Sequence, residues 1–211
     1  TGTRHPFFAN YVCSYLPDGR ISGLELESHH NMGNSHDLSI PVLDRALHHC
    51  QNCYDIPNAR FVGHACKTNT ASATAFRGFG GPQGMLIAET VIEHVSFASG
   101  ISDHVVRDLN LYGKHGNGHA SLVGMSFDPH PLIQCWDGVL EDAEYLNRQK
   151  AIEEFNSIHH YSKRGISALP TMFGISFTFK TYNQAGALVH IYHSDGSILV
   201  THGGVEMGQG L

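Results

Sequence analysis

In the run Ala75-Phe76-Arg77-Gly78-Phe79-Gly80-Gly81-Pro82-Gln83, an arginine and a phenylalanine alternate with glycines. Glycine lets backbone approach a partner closely and takes positive φ without strain. Pro82 stands where the first turn of a helix tolerates proline, and the free amides of a helix N-terminus attract anions. Arg77 and Phe79 could therefore form a pocket wall with a positive charge and an aromatic plane; a plain glycine loop is the competing reading. Two further runs share this character: Phe173-Gly174-Ile175-Ser176-Phe177-Thr178 and His202-Gly203-Gly204-Val205-Glu206-Met207-Gly208-Gln209-Gly210. The second leaves Met207 and Gln209 as its pointed side chains, and such a loop can set N–H groups against a phosphate or a flat heterocycle. Phe79 and Phe177 together with an arginine suit a planar, electron-accepting ligand. Aromatic faces stack on it, and a guanidinium stabilises negative charge developing there. On periodicity alone, Phe177 reads rather as a core strand residue.

Other chemistries lack their patterns. Without GxGxxG or GK[ST], nicotinamide and ATP readings are poor, and neither GxSxG nor HExxH occurs. Cys50-Gln51-Asn52-Cys53, preceded by His48 and His49, invites zinc, but no second CxxC follows, and buried thiols at a helix end are the alternative. Five cysteines at irregular spacing fit a reducing compartment. The 17 histidines are scattered, which predicts solvated or hydrogen-bonded side chains. Glu141-Asp142 and Glu153-Glu154 read as a solvated helix face, so no general base stands out. A net charge of −6 with 13 dispersed Lys and Arg speaks against nucleic-acid binding. No apolar run approaches the roughly 20 residues of a membrane helix.

The elements that must position these residues follow from periodicity. Runs 7–16 and 21–28 flank Pro17-Asp18-Gly19 and predict a hairpin. A helix is expected over 42–49, with Val42, Ala46 and His49 on its inner stripe and Arg45 on the surface. A strand over 60–65 follows. Met85, Ala88, Ile92 and Val95 recur at helical spacing in 82–99, with Gly100 as the stop. Ser102 can cap a helix to residue 111, and 114–128 reads as a loop. One or two helices are expected over 131–158, directing Trp136, Leu140, Leu146, Ile152 and Phe155 to the core. Stretches 165–170 and 173–179 look extended, and 187–192 with 198–202 predict a second hairpin about Ser194-Asp195-Gly196. Strands, then helices, then strands predict an α+β domain of mixed sheets with packed helices rather than alternating βαβ units.

Several motifs in order, "RHPF", Asp44-Arg45-Ala46-Leu47, "NCYDIPN", "CKTN", "TAFRGFGGPQ", "FGISFT", "NQAGAL" and "GGVEMGQG", resemble the molybdopterin-binding region of the xanthine dehydrogenase/aldehyde oxidase family, xanthine dehydrogenases in particular. The resemblance runs over essentially the whole chain and implies one partial molybdopterin-binding domain, 1–211, truncated at both ends. It places Arg77 near the molybdenum without a direct protein–metal bond, and Met207 and Gln209 against the pterin and the metal's ligand sphere. Phe79 would stack on a purine, Phe177 would form the second wall, and Thr178 would hydrogen-bond the substrate. Arg45 would bind substrate and act catalytically by stabilising negative charge on the purine. Aldehyde oxidases usually lack this arginine, so it favours the purine enzyme. The implied activity takes hypoxanthine to xanthine and xanthine to urate, with electrons passing through two [2Fe-2S] clusters and FAD to NAD+ or O2. A cytoplasmic or peroxisomal homodimer is expected, with neither nucleic acid nor membrane as partner. The iron–sulfur and flavin segments and the glutamate base would lie outside the chain, so it should be inactive alone, and Glu206 is not that base. The alternatives are an aldehyde oxidase paralogue acting on aldehydes and N-heterocycles, and a catalytically silent α+β binding or structural module.

Overall fold

Alternation of side chains organises the first sheet. The computed structural model describes residues 2–121, 124, 126–175, 183–208 and 210. β1 (Phe7–Tyr15) and β2 (Ile21–Gly33) pair antiparallel, from Phe7 opposite His30 to Tyr15 opposite Ile21. Their turn is closed by the Leu16 amide donating to the Arg20 carbonyl at 2.8 Å, and Gly19 supplies the required φ of 94°. The Asp18 carboxylate accepts from the Arg20 backbone and Nε. Along β2, Leu24, Leu26, Ser28 and His30 are buried while Glu25 and Glu27 are exposed, the period of two that a half-covered strand requires.

α1 (Ser39–His49) leads to β3 (Ala59–Lys67), which lies parallel to β2 from Leu24 opposite Ala59 onward. Among the described residues this makes one βαβ crossover, a parallel pairing that the order of predicted elements did not specify. Residues 34–58 are long enough for the return that parallel pairing demands. The fold class remains α+β, with the sheet order β1-β2-β3.

α2 (Gly81–Ser99) and α3 (Asp103–Asn110) cover the sheet's inner face. α2 stops at Gly100, whose φ of 72° ends the helix while its amide still reaches the Ser96 carbonyl at 2.9 Å. Ala88, Val91, Ile92 and Val95 are buried, and the last three meet Leu24, Tyr54, Ile56, Val106 and Trp136 in one core. Ser102 occupies the cap position of α3 without a side-chain cap bond, contrary to expectation. α4 (His130–Asp142) buries Trp136, whose Nε1 donates to Asp108 at 2.9 Å. In α5 (Tyr145–Ile158) the buried residue is Tyr145, whereas Leu146 is exposed rather than core-facing. No strand forms over 165–170, and the Pro170 carbonyl accepts from the Asn52 side chain.

The chain divides into two compact units, Thr1–Phe173 and Gly174–Leu211. The second contains β4 (Ala187–Ile191) and β5 (Ile198–His202), an antiparallel hairpin as expected, with Asp195 Oδ1 accepting from the Ser197 amide and hydroxyl. Every residue of both strands is exposed. Among the described residues no helix is long and apolar enough to cross a membrane.

Candidate functional site

The glycines of the 75–83 run approach another part of the same unit. A Cβ on Gly80 would lie 2.1 Å from the Val42 carbonyl oxygen, and one on Gly84 would lie 2.2 Å from that of Ala46. The start of α2 therefore rests directly on the backbone of α1, the helix that carries Arg45. Gly78, Phe79 and Gly80 have φ of 99°, 50° and 91°, so the loop folds through successive left-handed residues. For a phenylalanine that conformation is uncommon and must be imposed by its surroundings. Two short turns impose it, Phe79 N–H to the Phe76 carbonyl at 2.7 Å and Gly81 N–H to that of Gly78 at 2.9 Å. Arg4 braces the loop from outside: its Nη2 donates to the Arg77 carbonyl at 2.6 Å, and its guanidinium lies 4.4 Å from the Phe76 ring centroid. The backbone of Arg77 is thus fixed while its side chain is exposed.

Arg45 is buried, at 6% exposure, rather than on the surface as the apolar stripe predicted. α1 is covered over a wider face than its apolar letters mark, including Val42, Leu43, Arg45, Ala46 and His49. The cover is Phe173, whose ring occupies the space a side chain on Gly81 would need, 2.4 Å from its Cβ. The Arg45 guanidinium sits 4.6 Å from the Phe173 ring centroid, and the His49 ring tilts against the same phenyl at 5.0 Å. Burial lowers the pKa of Arg45, yet a guanidinium starts so high that it stays charged. Burial also lowers His49, and the neighbouring Arg45 charge adds to this. The result is a fixed cation inside a partly aromatic, water-poor wall.

Asn52 places Phe173. Buried and at φ 48°, Asn52 donates from Nδ2 to the Pro170 carbonyl and to Glu89 Oε1, both at 2.9 Å, and accepts the Met172 amide at 3.2 Å. Glu89 is held in turn by the Tyr54 hydroxyl at 2.6 Å and Arg107 Nε at 2.9 Å. Burial opposes the Arg107 charge, but the hydrogen bond and charge of Glu89, together with the hydrogen bond to Asp103, more than offset it and hold the guanidinium above its ordinary value. Cys50 and Cys53 are buried thiols, as one sequence reading has it; burial pushes Cys50 up to about 12 and Cys53 well above its usual value. At neutral pH they therefore stay protonated. Asn52, Glu89 and Phe173 did not stand out in the sequence. The only signals were Asn52 within "NCYDIPN" and Phe173 opening a glycine-bearing run, and neither shows that the two segments meet.

Of the expected site residues, Arg45, Arg77 and Phe79 belong to α1 and the loop seated on it. Met207 lies in the second unit with 56% exposure. Phe177, Thr178 and Gln209 lie outside the described residues. Beside the loop, Gln83 donates from Nε2 to the His5 carbonyl at 3.3 Å, while its buried Oε1 has no hydrogen-bond partner among the described residues. Such an orphaned acceptor fits a cofactor offering hydrogen-bond donors, as a pterin does.

Models of the molybdopterin cofactor-binding domain match residues 1–111 and 138–211, and the chain belongs to that family. Over all 211 residues it is 48% identical to a xanthine dehydrogenase of Dictyostelium discoideum and 49% identical to a xanthine dehydrogenase/oxidase of Gallus gallus. It spans 15% of the length of each of these relatives. An aldehyde oxidoreductase from Desulfovibrio gigas shares the fold, with a TM-score of 0.67 at 20% identity over 94% of this chain and 21% of that one. The expected resemblance and fold class are both borne out.

Proposed function

We propose that this chain forms part of the molybdenum site of a xanthine dehydrogenase that oxidises hypoxanthine to xanthine and xanthine to urate. The observation that carries this reading is the buried Arg45 guanidinium on the Phe173 ring. A guanidinium held against an aromatic ring can stabilise negative charge developing on a planar ligand, and a purine taking up negative charge during hydroxylation is such a ligand. When bound, the molybdenum cofactor supplies oxygen transfer and accepts two electrons. Arg45 binds the purine and offsets the charge that develops on it. In the first unit Phe79 stacks on the ring; in the second, Phe177 takes the stacking role and Thr178 the hydrogen-bonding role that the resemblance implies. In the first unit Arg77 contacts the cofactor; in the second, Met207 and Gln209 take the cofactor-contacting role that the resemblance implies. The resemblance implies a glutamate base elsewhere in the whole protein; Glu206 accepts from the amides of Gly208 and Gly210 in its own turn. FAD, two [2Fe-2S] clusters, NAD+ or O2 as acceptor, a homodimer and a cytoplasmic or peroxisomal setting belong to the same proposal for the whole protein.

The test is molybdenum and pterin analysis of the full-length protein, with turnover on xanthine and on benzaldehyde. Stoichiometric cofactor and preferential urate formation are expected. Benzaldehyde oxidation with xanthine untouched would make it an aldehyde oxidase paralogue, and absence of both metal and pterin would make it a silent module.

A further inference from the structure

The outer face of the first sheet carries three metal-ligating side chains that the molybdenum site does not use. Glu27 and His29 stand two residues apart on β2 and so share a face. His64 on β3 is the direct register partner of His29, which brings the three together by strand pairing. One donor atom from each lies within 4.8 Å of the other two. His64 Nε2 is 2.9 Å and His29 Nε2 3.8 Å from the same Glu27 Oε1. The two imidazole rings are 4.7 Å apart at 26°.

Tetrahedral zinc binds nitrogen and oxygen donors at about 2.0–2.2 Å, which sets neighbouring donors roughly 3.3–3.5 Å apart. The two measured separations bracket that spacing, and a modest swing of the partly exposed rings closes the third. His29 Nδ1 is buried without a hydrogen-bond partner among the described residues, which leaves the Nε2 facing Glu27 as the atom available to an ion. Two imidazoles and one carboxylate with an open fourth position suit a late first-row dication rather than magnesium or calcium.

We propose that Glu27, His29 and His64 form a binding site for a late first-row divalent cation, with zinc the best match, that ties β2 to β3. The proposal is independent of the purine reading. It is tested in the full-length protein by equilibrium dialysis against zinc chloride and by zinc-edge anomalous diffraction of zinc-soaked crystals. Wild type should hold one more zinc per chain than His64→Gln or His29→Gln, whose affinity should fall on the order of tenfold or more. An anomalous peak should lie among the three side chains. Unchanged circular dichroism and thermal unfolding in the variants certify their folding, and Glu27→Gln replaces any variant that fails this check. Equal zinc binding by wild type and variants, or anomalous peaks only elsewhere, overturns the proposal and leaves an ion pair alone.

Discussion

Asn52 shows how one side chain can hold a site together from beneath. Its three hydrogen bonds join Glu89 to the backbone of residues 170–172, and so deliver Phe173 to Arg45. Replacing it with alanine leaves buried groups without partners, each costing about 1–3 kcal/mol. Asn52→Ala should therefore strip hydrogen-exchange protection from the Met172 amide by at least tenfold, on a net loss of about 2 kcal/mol. Undiminished protection would refute the anchoring role. The sequence could not reveal this link, because 118 positions separate Asn52 from Pro170 and no periodicity spans such a gap. Arg45 misled in the opposite direction. Counting apolar letters put it outside the stripe, whereas Phe173 covers it from a distant segment.

Among the elements, α1 and α2 are held close by backbone contact, and glycine decides how close. Gly84 faces the Ala46 carbonyl of α1, while Gly138 in α4 has open space around its Cβ position. The same substitution should thus have opposite signs at the two sites. Gly84→Ala must push two backbones apart and should cost about 2 kcal/mol or more. Gly138→Ala should stabilise its helix by about 0.5–1 kcal/mol. Exchange protection of α2 and α4 amides measures both, and equal effects would contradict the packing described. The two hairpins, α2 with its glycine stop, and the helical region 130–158 were legible because each signal is local. The parallel pairing of β2 with β3 was not, since a strand's letters do not name its neighbour.

Over the molecule as a whole, the sheet is less apolar inside than its strands suggest. His30 is fully buried on the inner face, 4.9 Å from the His5 ring, and neither of its ring nitrogens has a partner among the described residues. This departs from the expectation that the histidines are solvated or hydrogen-bonded. Burial, aided by His5, lowers the His30 pKa to about 4 from 6.5. The unfolded chain therefore binds the proton first as pH falls. The stability due to neutral His30 is complete above pH 6.5, declines as pH falls through the window to 4, and is gone below it. The total is about 3 kcal/mol. Exchange protection of the β2 amides, corrected for intrinsic rates, should fall over this window in wild type, with a flatter response in His30→Leu. Identical pH responses would show that His30 is not the source.

The most direct test of the buried cation is the kinetics of Arg45→Leu in the full-length, molybdenum-loaded protein, with xanthine and benzaldehyde as paired substrates. Loss of charge stabilisation should raise the barrier for xanthine by about 2–4 kcal/mol, seen mainly in kcat, while benzaldehyde turnover falls far less. Unchanged xanthine kinetics, or an equal loss on both substrates, would contradict the account.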